Sequence, residues 1–108
     1  MMKFIEEYNE KLGMTLPIPE LELSADETME DFLVRERGNI SKAIAAAIDL
    51  MVQFEIDSMP CFAVKGTELV FNISREDAPY SLDQCIQYFL EMEDYEKCAR
   101  LAIVKSKL

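Results

Sequence analysis

Histidine and tryptophan are absent from the 108 residues, and glycine occurs only at Gly13, Gly38 and Gly66. Without histidine the chain lacks the commonest general base, the Ser–His and Cys–His nucleophile pairs, and the ligand of nearly every catalytic zinc site. Three glycines so far apart leave no phosphate-cradling loop, dinucleotide fingerprint or nucleophile elbow. The calcium-loop pattern of spaced oxygens, a central glycine and a closing glutamate does not occur either. The three cysteines, Cys61, Cys85 and Cys98, are odd in number and include no C-x-x-C. They argue against a disulfide framework and for a reducing compartment, with each thiol acting as a small buried apolar side chain. The longest apolar stretch, Ala43 to Val52, is broken by Asp49 and is too short to span a bilayer. Met1, Met2 and Lys3 lead straight into Glu6 and Glu7, which predicts no secretory signal. Basic residues are the scarce charge, 11 against 21 acids, for a formal net charge of −10. A protein that neutralises phosphates needs the opposite sign. The expectation is a cytoplasmic protein with no cofactor, no metal, no direct nucleic-acid contact and no membrane segment.

What is present suffices for a core. Half the residues are apolar and 30% are charged, outside the range of disordered chains. At 12.4 kDa, scaling laws give about 6,100 Å² of folded surface against about 18,000 Å² unfolded, so one domain over residues 1–108 is expected. The periodicities predict an α+β fold, mostly helical, with about five helices and one β-hairpin. Phe4, Ile5, Tyr8 and Leu12 share a helical face, predicting an N-terminal helix over 1–13 ended by Gly13. Pro17 and Pro19 forbid helix in 14–23, which becomes an extended connector anchored by Leu21 and Leu23.

Residues 24–60 form the expected helical core. Ser24 with Glu27 is a capping box, Asp26, Glu27, Glu30 and Asp31 suit the first turns, Arg35 and Arg37 suit the last, and Gly38 stops the helix. Its buried stripe is Met29, Phe32 and Leu33. The next helix, Ile40 to Glu55, repeats Ile40, Ala43, Ile44, Ala47, Ile48 and Met51 at helical period and is apolar on most sides, so other elements must surround it.

In 61–73, Cys61–Val64 and Leu69–Ile73 alternate as two strands around Gly66. After a turn at Arg75–Tyr80, residues 81–108 form an antiparallel helical hairpin. Ser81 with Gln84 is a second capping box, and Leu82, Cys85, Ile86, Phe89 and Leu90 line the first helix. Asp94 caps the second, whose expected core face is Tyr95, Cys98, Ala99, Ala102 and Ile103. Glu93–Lys97 and Glu96–Arg100 are favourable i,i+4 pairs. Asp94-Tyr95-Glu96-Lys97-Cys98-Ala99-Arg100-Leu101, following an amphipathic helix, resembles the second half of a UVR-type helical hairpin, a protein-interaction element of excision-repair nucleases. The basic–acidic pair that follows the leucine in that motif is replaced by Ala102 and Ile103. The resemblance, about a dozen residues long, implies an interaction hairpin.

Acidity is concentrated at the start. Residues 1–60 hold thirteen acids and five bases, a net of −8, whereas 61–108 hold eight and six, a net of −2. The paired carboxylates Glu6–Glu7, Asp26–Glu27, Glu30–Asp31 and Glu76–Asp77 are expected as solvated surface. Of the seven methionines, Met29, Met51 and Met92 fit core positions, Met1 and Met2 are terminal, and Met14 and Met59 have no obvious place. The leading expectation is a non-enzymatic protein–protein interaction module, an accessory or regulatory subunit. Its candidate partner-binding residues are Asp26, Glu27, Glu30 and Asp31, with Leu21 and Leu23 as apolar anchors. The alternative is an acidic inhibitor of the immunity, antitoxin or anti-defence kind that blocks a basic site, and a homodimer is compatible with either. A small enzyme using Cys61 or a carboxylate is the third reading.

Overall fold

Residues 3–108 are described by the computed structural model. Two antiparallel hairpins, β1 (Lys3–Asn9) with β2 (Met14–Glu22) and β3 (Ser58–Lys65) with β4 (Val70–Ser74), join into one sheet of order β1-β2-β3-β4. β2 and β3 run parallel. A parallel pair needs a crossover, which α1 (Met29–Arg35) and α2 (Arg37–Phe54) supply. α3 (Ala78–Glu91) and α4 (Tyr95–Ser106) complete the chain. The order ββαα thus occurs twice, although the sequence shows no repeat. The fold is α+β with four helices and a four-stranded mixed sheet among the described residues, where five helices and a lone hairpin were expected.

The missing helix is the N-terminal one. Residues 1 and 2 of the helix expected over 1–13 lie outside the described residues, and Lys3–Asn9 is an edge strand whose register pairs Ile5 with Ile18 and Tyr8 with Thr15. Gly13 does adopt a positive φ of 65°, and its N–H donates to the Asn9 carbonyl at 2.8 Å. That is the local geometry of a helix C-cap, here used to turn a hairpin, so the glycine signal was right and the element before it was not. The connector is also a strand. Alternate residues of an antiparallel strand aim their N–H groups at opposite neighbours, so Pro17 and Pro19 can both turn their donorless nitrogens away from β1. Parallel pairing to β3 is accordingly confined to Glu20–Glu22 against Ala63–Lys65.

α2 is the centre of the helical layer. It packs on β3 and also touches α1, α3 and α4. Ile48 and Met51 are fully buried, Ala43, Ala45 and Ala47 nearly so, and Ile44 half-buried. The small alanines let the sheet and α3 approach closely on two sides. Its C-cap Glu55 is left-handed at φ 53°, and both Glu55 and Ile56 donate N–H to the Met51 carbonyl, which tucks Ile56 into the core. A β-bulge between Pro60 and Phe62 adds Cys61 to β3, and Phe62 stacks on Phe71 of β4 at 4.7 Å. The accessible surface, 7,057 Å², exceeds the scaling expectation of about 6,100 Å². A single helical layer on a single sheet, 40 × 36 × 24 Å overall, leaves more surface open than a sphere would.

Helix boundaries differ from expectation in instructive ways. Gly38 does not end a helix; it lies in the first turn of α2, against Tyr88 of α3. α3 begins at Ala78, with Pro79 in its first turn, and Ser81 is already inside it. Asp94 caps α4 as expected, its side chain accepting from the Lys97 N–H. A Cβ on Gly38 would stand 2.5 Å from the Tyr88 hydroxyl oxygen and 3.2 Å from Cζ. Gly38→Ala therefore loses to the clash what it gains in helix propensity, and a net cost of about 1 kcal/mol is expected in chemical denaturation. In a Tyr88→Phe background, which removes the nearest atom, the same change should become neutral or stabilising.

Candidate functional site

α1 is short, and one side chain secures it. Of its seven residues only Phe32 is buried, at 0% exposure. Thr28 is the N-cap, its hydroxyl accepting the Asp31 N–H at 3.1 Å. Only half of the expected capping box forms: Ser24 N–H donates to Glu27 Oε1 at 3.2 Å, but Glu27 N–H donates to the Ser24 backbone carbonyl at 3.0 Å, which makes a turn ahead of the helix that Thr28 caps.

Glu27 is held by Arg35. Nε and Nη2 of the guanidinium each donate to one carboxylate oxygen at 2.8 Å, a bidentate pair. Nη2 also donates to the Glu22 carbonyl at 2.7 Å and Nη1 to Glu36 Oε1 at 2.5 Å, while Glu36 Oε2 accepts from Asn39. Arg35 thereby ties the end of β2, the turn and the α1–α2 junction together. The Arg35 guanidinium beside Glu27 holds that carboxyl below the ordinary range, and the guanidinium is pushed up in turn. Arg37 is engaged as well, on Glu91 and over the Tyr88 ring.

These contacts sort the candidate residues. Leu21 is buried in the core and Leu23 half-buried against it, so neither offers a partner an anchor. Glu27 is satisfied within the chain. Asp26, Glu30 and Asp31 are exposed, and none joins an ion pair among the described residues. The expected stripe of Met29, Phe32 and Leu33 splits: Phe32 faces the core, and Met29, Leu33 and Val34 face water, Val34 at 74%. At 100° per residue, Glu30 falls between Leu33 and Val34 on the helix surface. The result is a strip of three large apolar side chains with Glu30 among them, Asp31 along its edge and Asp26 in the turn ahead of the helix. Composition indicated the acids, but exposure of the apolar residues depends on which side of α1 Phe32 anchors.

α4 is the second surprise. Its core face is Leu101 and Val104, with Cys98 half-buried, whereas Tyr95, Ala99, Ala102 and Ile103 are exposed. Neither expected i,i+4 pair is an ion pair among the described residues. Lys97 lies over the Phe89 ring, and Arg100 reaches Asp49 on α2.

Two concavities border these elements. A depression of about 570 Å³ is lined by Lys3, Glu20, Glu22, Arg35, Glu36 and Lys65, acids and bases intermixed and open to water, with Leu21 beneath. A smaller apolar groove lies between the β1–β2 hairpin and α2, where Phe4, Pro17 and Pro19 face Ala43, Ala47 and Leu50. Among the described residues no three Cys, Asp or Glu side chains converge as a metal cluster. Cys61 and Cys85 are buried, and loss of hydration pushes their thiols up to about 12 and about 11. Such thiols are protonated at neutral pH and are poor nucleophiles.

Two outcomes follow from this geometry. With iodoacetamide at pH 8, native protein should label at most at the half-buried Cys98, and Cys61 and Cys85 should react only after denaturation, as read by mass spectrometry. The Glu27–Arg35 pair fixes a sign: a depressed carboxyl stabilises the fold above the unfolded-state value and loses that contribution as pH falls through its lower folded value. NMR should show the α1 amides titrating below the ordinary carboxylate range, and Glu27→Gln should abolish that titration and lower α1 amide protection at neutral pH without opening α2. No family model matches the chain, and neither a curated protein nor a solved structure does, so these side chains are what a function can be read from.

Proposed function

We propose that the protein is a protein–protein interaction module, non-enzymatic and cytoplasmic, that acts as an accessory or regulatory subunit. The observation that carries this reading is the outer surface of α1. Met29, Leu33 and Val34 stand exposed beside Glu30 and Asp31, with Asp26 exposed in the turn ahead of the helix, while the neighbouring bases Arg35 and Arg37 are held within the chain. Apolar side chains supply contact area, and unpaired acids select a partner segment that is basic as well as apolar. Leu21 and Leu23 no longer belong to this surface, and Glu27 supports it from behind. The three free thiols accord with a reducing compartment.

An inhibitor that covers a basic site on its target would use the same strip, and the free carboxylates are what favour that second reading. Salt separates the two. An inhibitor held mainly by charge should weaken steeply between about 50 and 500 mM salt, whereas a module that the acids select and the apolar side chains anchor should weaken less over that range.

The experiment is affinity capture from host lysate with the wild type beside Glu30→Lys/Asp31→Lys, a pair of exposed changes that leaves Phe32 and Arg35 in place. A partner retained by the wild type and reduced at least tenfold by the charge reversal supports the proposal. Capture of nothing above background, or equal capture by both, refutes it.

A further inference from the structure

We infer that α4 is a dimerisation helix whose partner is α4 of a second copy, packed antiparallel across a two-fold axis. The interface is distinct from the α1 strip. Four side chains that the sequence pattern assigned to the core face of α4 are at the surface: Tyr95 at 63% and Ile103 at 59%, with Ala99 and Ala102 exposed between them. At 100° per residue these four span one continuous face, centred on Ala99 and opposite the buried Leu101. Large residues sit toward the ends and small ones in the middle, which suits two helices crossing closely near Ala102.

Charge decides the occupant. Glu96 lies in the first turn of α4, and Lys107 is its C-cap residue. They are eleven residues apart, about three turns, so both lie on the same flank of the exposed face. Neither joins an ion pair among the described residues, although Lys105 and Arg100 do. In an antiparallel two-fold dimer each flank meets its own copy reversed end to end. Glu96 then meets the partner's Lys107, and Lys107 meets the partner's Glu96. The same register places Ala99 against the partner's Ile103. Parallel two-fold pairing would instead turn each flank toward the partner's opposite flank at equal height, so Glu96 and Lys107, eleven residues apart on one flank, would not meet. The face therefore complements itself in one orientation.

A single helix pair is at the small end of specific interfaces, below about 1,200 Å², so a dissociation constant of roughly 1–100 µM is expected. Analytical ultracentrifugation of the full chain from about 5 to 500 µM tests this, with circular dichroism confirming that each variant is folded. The wild type should pass from monomer to dimer over that range, and Ile103→Asp should remain monomeric. Glu96→Lys turns two attractions into two repulsions and should weaken the dimer roughly tenfold. Glu96→Lys/Lys107→Glu should restore affinity to within about threefold of the wild type. A wild type still monomeric at about 500 µM overturns the inference. So does a dimer that Ile103→Asp leaves intact, or one that the double exchange fails to restore. None of these variants touches α1, so failure here leaves the α1 reading standing, and the converse holds.

Discussion

The contact on which the rest of the fold depends is the seating of α2 on β3. α2 closes the crossover that makes β2 and β3 parallel, so its packing fixes how the two hairpins join into one sheet. Ala43 and Ala47 face β2 and β3 residues, and beside them Ile48 and Met51 of α2 are both fully buried. Removing a buried side chain of this kind costs about 2–5 kcal/mol, a large share of the stability of a small domain. α3 then lies against α2, with the Cys85 thiol donating to the Ser41 carbonyl at 3.4 Å, and α4 lies against both. Each later element borrows its position from α2.

α1 depends on that frame more loosely. One buried phenylalanine and one arginine hold seven residues, and everything else on the helix is free to face water. That is a local arrangement of low burial, and surfaces used for recognition are commonly drawn from such parts of a structure. The Arg35 network compensates by linking three segments through charge-assisted hydrogen bonds. A helix held by a point and a clasp can present an apolar strip that a fully packed helix would have to bury.

Legibility in the sequence followed the strength of local signals. The long apolar period of α2, the β-rich runs around Gly66, and the Asp94 cap were all readable because pattern and turn chemistry agree there. β1 was misread because Lys3, Glu6, Glu7 and Glu10 favour helix and the spacing of Phe4, Ile5, Tyr8 and Leu12 matches a helical stripe. Only pairing with β2 makes it a strand, and that information lies in another segment. β2 was recognised as extended, yet Pro17 and Pro19 disguised its place inside the sheet. The candidate acids Asp26, Glu30 and Asp31 were legible from charge, and Leu21 and Leu23 were not, since alternation with Glu20 and Glu22 cannot say whether the apolar side meets a core or a partner. α4 carries apolar residues around most of its circumference, so its pattern allowed two core faces. Packing against α2 and α3 chose Leu101 and Val104.

A chain of net charge −10 faces a general penalty for associating with its own kind, yet that penalty is weaker than the total suggests. Screening at physiological salt reduces interactions beyond about 8 Å, so the charges within one Debye length of a contact govern it. Around α4 the balance is nearly even, since residues 61–108 carry eight acids and six bases. Around α1 it is strongly negative, because Asp26, Glu30 and Asp31 are free and both nearby arginines are engaged. The two exposed helices therefore suit different partners: α4 can meet a surface of its own composition, and α1 cannot. A single acidic total, read from composition, conceals a division of surface that exists only once Phe32 and Leu101 have turned their helices toward the core.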